Sequence, residues 1–70
     1  MLKIEVIDCW DKEYLEAVLK PYAKLKQKPN GDLEVYTSSY YLERVLNILA
    51  KLWEEGVIED FIPPPVRLQL

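Results

Sequence analysis

The chain has 70 residues with 12 acidic and 9 basic side chains, a net charge of −3 and a pI of about 4.8. This charge disfavours generic nucleic-acid binding, which depends on many Lys and Arg side chains that neutralise phosphates. Half of the residues are hydrophobic, yet every apolar run is far shorter than a membrane span, so we expect a folded cytoplasmic protein without a membrane segment. The size allows one domain, residues 1–70, with a Pro-rich C-terminal arm or additional strand at 62–70. The Glu- and Lys-rich charged set is typical of thermophile proteins.

Cysteine and histidine are too scarce for the common metal and redox sites. Cys9 is the one cysteine and histidine is absent, so neither an intramolecular disulfide nor a Cys/His zinc site can form. We therefore expect no metal and no cofactor. Cys9 follows the first predicted strand, where a helix N-terminus would lower the pKa of a thiol. Because a nucleophile also needs a base, we interpret Cys9 as a small, partly buried residue without a catalytic role.

The first segments predict a strand followed by a helix. Residues Leu2–Ile7 alternate apolar and charged side chains, which indicates a strand with one buried face. Asp8 is the expected N-cap of the helix, with Asp11 in the capping-box position. Pro21 ends the helix near Lys20. Its apolar stripe consists of Tyr14, Leu15, Val18 and Leu19.

The stretch "LKQKPNGDLEVY" (residues 25–36) predicts a hairpin whose register follows from its turn. A three-residue loop at Pro29–Gly31 uses the proline and the glycine in the conformations that they favour. A two-residue loop would mix charged and apolar side chains on one face, so the three-residue loop is preferred. The resulting pairs are Lys28 with Asp32, Lys26 with Glu34, Lys24 with Tyr36, Leu25 with Val35, and Ala23 with Thr37. We expect the first two pairs to be exposed ion pairs.

A second helix and a fourth strand complete the pattern. Ser38 or Ser39 is the expected helix cap, and Gly56 is the expected left-handed stop. The helix stripe consists of Leu42, Val45, Leu46, Leu49, Leu52 and Trp53. Residues Val57–Ile62 indicate a strand whose inward face the sequence leaves undecided. After three prolines, the apolar side chains of the last five residues alternate again at Val66, Leu68 and Leu70.

The element order β-α-β-β-α-β resembles the ferredoxin-like α+β sandwich. That resemblance implies a four-stranded antiparallel sheet with two helices on one face and with the first and third strands in the centre. Two variations stay open. In the first, the C-terminal arm adds a further strand; in the second, the chain is an incomplete module whose last strand belongs to a partner.

A surplus of hydrophobic side chains suggests association with another protein. The two short helices cannot cover all of them, and contiguous exposed apolar surface usually marks a contact site. The leading hypothesis is therefore a non-enzymatic protein that acts as a homodimer or as a subunit of a complex. The expected contact residues are Tyr40, Tyr41, Phe61, Val66 and Leu68.

Two further functions are kept as alternatives. The first is an RNA-associated module that uses a basic row with one tyrosine, formed by Lys20, Tyr22, Lys24, Lys26 and Lys28. The open sheet face lacks the aromatic pattern of RNA-recognition motifs, which weighs against it. The second is a ligand-binding regulatory domain with its site at a subunit interface. No residue is assigned a catalytic role.

Overall fold

The computed structural model describes residues 1–64. Its elements, in chain order, are β1 (Leu2–Cys9), α1 (Lys12–Leu19), β2 (Ala23–Gln27), β3 (Leu33–Thr37), α2 (Leu42–Glu54) and β4 (Ile58–Ile62). The predicted α+β class and element order are confirmed. Val66, Leu68 and the additional C-terminal strand lie outside the described residues. Within residues 1–64, neither helix is both long and apolar enough to cross a membrane.

The four strands form one antiparallel sheet in the order β2-β3-β1-β4. As predicted, β1 and β3 are central, and β2 and β4 are the edges. This order is consistent with the ferredoxin-like arrangement. Each helix connects two strands that are not neighbours, so that α1 links β1 to β2 and α2 links β3 to β4.

The β2–β3 hairpin has the register that its turn predicts. Leu25 lies opposite Val35, and Lys26 lies opposite Glu34. The Lys28 amide donates to the Asp32 carbonyl at 2.8 Å, which closes the three-residue loop. Gly31 has a φ of +94°, a left-handed conformation that glycine adopts without strain. Turn chemistry and side-chain alternation therefore agree on a single register.

One hydrophobic core joins one face of the sheet to both helices. Alternate residues of the central strands are buried, as the pattern predicts. The helices contribute side chains spaced three and four residues apart. Tyr14 and Trp53 lie at the margins of their helical stripes and stay about half exposed. The buried core residues are Ile4, Val6, Leu15, Leu19, Leu33, Val35, Val45, Leu49, Leu52 and Ile58.

The predicted cap of α1 is wrong by three residues. The Asp11 carboxylate, rather than that of Asp8, accepts a hydrogen bond from the Tyr14 amide at 3.0 Å. Asp8 lies inside β1 with a φ of +50°. The alternation of buried and exposed side chains stops at this residue: Val6 is buried, but Asp8 is exposed and Cys9 is half-buried. The opposite strand is irregular too. Ile58 and Phe61, three residues apart, both pack on the core, which settles the inward face of β4.

Helix α2 begins later than predicted and ends where predicted. Its N-cap is Tyr41, which has no capping side chain, and Ser38 instead accepts from the Tyr41 amide through its hydroxyl oxygen at 3.3 Å. At the other end Gly56 has a φ of +79°. Its amide donates to the Trp53 carbonyl, and the Val57 amide donates to the Leu52 carbonyl. These two bonds form the Schellman ending that a left-handed glycine permits.

Candidate protein-association surface

Three tyrosines and one arginine lie together where α1 leads into β2 and β3 leads into α2. We call this group the tyrosine patch: Tyr22, Tyr40, Tyr41 and Arg44. The Tyr22 and Tyr41 ring centroids are 5.4 Å apart, and those of Tyr40 and Tyr41 are 4.8 Å apart with the planes at 76°. Tilted and edge-to-face arrangements at these separations are favourable for aromatic rings. The patch therefore has a defined internal geometry.

Arg44 is held against the patch by the Tyr22 ring and hydroxyl. Its guanidinium carbon lies 5.3 Å from the ring centroid, within the range of a cation–π contact. Its Nη1 donates to the Tyr22 hydroxyl oxygen at 3.3 Å. A side chain that is already ordered loses less rotational freedom when a partner binds. Arg44 is thus prepared for a contact without being covered.

A buried hydroxyl connects the two segments that carry the tyrosines. Thr37 ends β3 and is completely buried, and its Oγ1 donates to the Tyr22 carbonyl at 2.9 Å. Ser38, the next residue, begins the turn that leads to Tyr41. The hydroxyl of Thr37 therefore fixes the position of Tyr22 relative to the start of α2.

The outer side of the patch opens to solvent beside α2. Tyr40 is 84% exposed and Tyr41 is 36% exposed. A depression of about 590 Å³ runs along the helix from this point. It is lined by Tyr40, Glu43, Arg44, Asn47, Ile48 and Lys51. Tyrosine and arginine are enriched at protein interfaces, and Ile48 adds an apolar side chain to the depression, whereas the other lining residues are polar or charged.

The predicted contact residues do not all lie at one place. Tyr40 and Tyr41 are adjacent in the patch. Phe61 lies on β4, is half-buried against the core, and contacts Trp53 near the end of α2 with centroids 6.4 Å apart. Val66 and Leu68 fall outside the described residues. The structure therefore places the patch near the beginning of α2 and Phe61 near its end.

The predicted ion pairs of the β2–β3 hairpin do not form. The Asp32 carboxylate accepts hydrogen bonds from the Asn30 side-chain amide at 3.3 Å and from the Asp8 amide at 3.4 Å. Lys28 reaches instead to Glu5 on β1, with an Nζ–Oε1 distance of 3.6 Å. Asp32 is thus occupied by the turn and the neighbouring strand.

Glu34 is likewise engaged from β1 rather than from β2. The Lys3 ammonium lies 3.3 Å from its carboxylate, and the Tyr36 hydroxyl donates to it at 3.1 Å. Desolvation alone raises the pKa of Glu34, but these two contacts outweigh it and hold the pKa below its ordinary value of 4.5. Desolvation of the Tyr36 hydroxyl, followed by its hydrogen bond to Glu34 and the Glu34 charge, raises the pKa of Tyr36. Tyr36 is therefore tied to its neighbours and not free to stack on a base.

Of the remaining residues of the basic row, Lys24 and Lys26 lie on the edge strand β2, and Lys20 is the C-cap of α1. Lys20, Lys24 and Lys26 are exposed, and none of them forms an ion pair with another residue in the described part of the chain. Tyr22, the aromatic member of the row, is half-buried in the tyrosine patch. Lys28 is paired with Glu5. The row is therefore divided between an open edge and a neutralised sheet face.

Cys9 and the neighbouring carboxylates provide little chemistry. Burial raises the pKa of the Cys9 thiol above its ordinary value of 9.0, against the lowering effect of a hydrogen bond from the Asp11 backbone. The thiol is therefore the form present at neutral pH, which is the less nucleophilic one. A hydrogen bond with Asp8, followed by its charge, raises the pKa of Glu59. Among residues 1–64, no three Cys, Asp or Glu side chains are grouped so as to hold a metal ion.

No family model, curated protein or solved structure matches the chain. Functional inference therefore rests on the geometry of the tyrosine patch and the depression beside it. Glu43, Arg44 and Lys51 are not among the contact residues that the sequence predicts, because charged residues away from the apolar stripe of a helix normally face solvent. Their spacing carried a usable signal. Positions 43, 44, 47, 48 and 51 are separated by three or four residues along the helix and so share one helical face, and position 40 immediately precedes it.

Proposed function

We propose that the protein acts by associating with a second copy of itself through the tyrosine patch, without an enzymatic role. The observation that carries this proposal is the 84% exposure of Tyr40 within an ordered group of two further tyrosines and an arginine. Tyrosine and arginine are over-represented among the residues that dominate binding energy at protein interfaces. Homodimers with two-fold symmetry are the commonest assemblies of soluble proteins.

Tyr40 and Arg44 are the two residues of the patch that favour association energetically. Removing an exposed aromatic side chain from water contributes on the order of 2 kcal/mol. Tyr40 has nearly its whole ring available for this, and Arg44 is already oriented by Tyr22. Burial of two symmetry-related patches doubles the contribution to about 4 kcal/mol, which by itself corresponds to a dissociation constant of about 1 mM.

The experiment compares two tyrosine substitutions by light scattering over a range of concentrations. Tyr40→Ser removes the exposed ring of the patch, whereas Tyr14→Ser removes a 45% exposed ring on α1. We expect Tyr40→Ser to raise the dimer dissociation constant by about tenfold or more, and Tyr14→Ser to leave it unchanged. Equal dissociation constants for both variants would contradict the role of the patch.

We also propose that the fold is the ferredoxin-like sandwich. The element order β-α-β-β-α-β and the sheet order β2-β3-β1-β4 support this assignment. The fold by itself does not indicate function, since it accommodates many unrelated activities. Its relevance here is that both ends of α2 and the outer side of that helix remain accessible beside the core.

A second candidate function is RNA association through the edge of β2. The observation that favours it is the group of exposed lysines at positions 20, 24 and 26, which have no ion-pair partner among residues 1–64. The triple substitution of these lysines by glutamine should abolish salt-dependent retention on single-stranded RNA. If the unmodified protein is not retained at low salt, this candidate is eliminated.

A further inference from the structure

We infer that the second copy docks with its α2 antiparallel to α2, about a two-fold axis beside Asn47, so that Glu43 of each copy faces Lys51 of the other. This inference rests on the proposed self-association and specifies its arrangement. It concerns the depression along α2, in which the five lining residues that belong to the helix share one face: Glu43, Arg44, Asn47, Ile48 and Lys51.

Two opposite charges, Glu43 and Lys51, lie on this face of the helix. Glu43 and Lys51 both line the depression, and each is four residues away from Asn47. With a rise of about 1.5 Å per residue, they lie about 6 Å to either side of Asn47 along the helix axis. The charge pattern of this face is therefore acidic on one side of Asn47 and basic on the other.

Two-fold symmetry makes this charge pattern complementary to itself. A two-fold axis at Asn47, perpendicular to the helix, places Glu43 of one copy at the level of Lys51 of the other, twice per dimer. A parallel arrangement would set Glu43 against Glu43 and Lys51 against Lys51. Like charges at an interface cost free energy and opposite charges favour the correct register. In the antiparallel arrangement the two helix dipoles also point in opposite directions, which is favourable.

Both charges are available for this contact. The ion pairs found among residues 1–64 all lie on the sheet, where they join Lys3 to Glu5 and Glu34, and Lys28 to Glu5. Neither Glu43 nor Lys51 takes part in any of them. Glu43 in the first turn and Lys51 in the last turn also interact favourably with the helix dipole. The dipole explains why each charge is near its end of the helix, but it does not explain why both lie on the face of the depression.

The same symmetry gives suitable neighbours to the other members of the face. Tyr40 precedes α2 and lines the same depression, so it lies beyond Glu43 from the axis and contributes to the outer part of the contact. Ile48 is next to the axis and half-buried, so the two Ile48 side chains form the apolar centre of the contact. A polar rim around an apolar centre is the usual anatomy of an interface.

Charge reversal tests this arrangement directly. Glu43→Lys and Lys51→Glu each convert two attractive contacts into two repulsive ones, so each should raise the dissociation constant at least about tenfold. The double variant exchanges the signs and should restore the dimer. Glu16→Lys, on the exposed side of α1, is the matched control and should have little effect. Thermal unfolding followed by circular dichroism verifies that every variant is folded.

The position of the axis has its own test. With Cys9→Ser as background, Asn47→Cys should be cross-linked between copies by a short bis-maleimide, whereas Glu16→Cys should not. No cross-link at position 47 would overturn the placement of the axis. Single reversals that leave the dimer intact, or a double variant that fails to restore it, would overturn the antiparallel pairing. If Tyr40→Ser still weakens that dimer, the proposed function stands and only its arrangement fails. A monomeric wild-type chain would overturn both.

Discussion

Glu5 and Glu34 lie directly opposite each other on β1 and β3, and Lys3 lies within ion-pair distance of both. Like charges that face each other across strands are destabilising unless a cation compensates for them. Lys3 supplies that cation at 3.3 Å from Glu34 and 3.9 Å from Glu5, and Lys28 adds a second one at 3.6 Å from Glu5. The open face of the sheet is thus a mutually neutralised network, which leaves α2 as the more suitable surface for a contact.

Removal of the shared cation should destabilise the protein in a manner that depends on pH. Lys3→Gln leaves Glu34 without its cation opposite Glu5, which retains only Lys28, so we expect a lower urea midpoint than in the wild type at pH 7. The low pKa of Glu34 contributes stability above its ordinary value of 4.5, and this contribution disappears as the pH falls through the folded-state pKa. The difference between variant and wild type should therefore shrink in acid. A difference that is independent of pH would contradict the role of Lys3.

Removal of the Glu59 charge should stabilise the protein at neutral pH, whereas removal of the Lys3 charge should destabilise it. The hydrogen bond with Asp8 raises the pKa of Glu59 above 4.5, so its protonated form is favoured in the folded state. The associated stability is present below 4.5 and is lost as the pH rises through the folded-state pKa. Glu59→Gln should therefore raise the unfolding midpoint at pH 7 and have little effect at pH 3. Glu16→Gln, which removes an exposed charge on α1, is the control, and an equal gain there would argue against a specific effect of Asp8.

The buried hydroxyl of Thr37 should contribute more to the free energy of unfolding than its methyl group does. Thr37→Val keeps the shape of the side chain but leaves the Tyr22 carbonyl without its donor. We expect a loss of about 1–3 kcal/mol in the free energy of unfolding. Thr37→Ser keeps the donor and should be better tolerated. Chemical denaturation distinguishes the two, and equal losses would show that the hydrogen bond is not the decisive interaction.

The end of α2 should require a residue that adopts positive φ. Space is not limiting at Gly56, since a Cβ there would meet nothing within 4 Å. Gly56→Ala should nevertheless cost about 1 kcal/mol, because the left-handed conformation is unfavourable for alanine. Gly56→Asn should cost less, since asparagine tolerates that conformation. An alanine variant as stable as the wild type in urea would contradict the conformational explanation.

Sequence reasoning succeeded where local chemistry determines the structure. Pro29–Gly31 sets the hairpin loop, and alternation on both sides then allows a single register, so Leu25 could be placed opposite Val35 correctly. The core stripe of α2 and its end at Gly56 were predictable for the same reason. In each case a few adjacent residues contain all the information that is required.

Sequence reasoning failed where a side chain has several possible partners of similar interaction energy. Lys28 was expected to pair with Asp32 in its own hairpin, but Asp32 is occupied by the turn and by β1, so Lys28 reaches Glu5. The contact between Arg44 and Tyr22 joins residues 22 positions apart. No local pattern specifies such a pair. The tyrosine patch therefore became recognisable only when the fold had brought its segments together.

The solution mass of the 70-residue chain as a function of concentration is the most direct test of self-association. Light scattering should give a mass that rises with concentration toward twice 8.3 kDa. High salt should lower the mass at a given concentration, because the proposed Glu43–Lys51 contacts are exposed charges. A mass that stays at 8.3 kDa up to millimolar concentration would contradict self-association through the tyrosine patch.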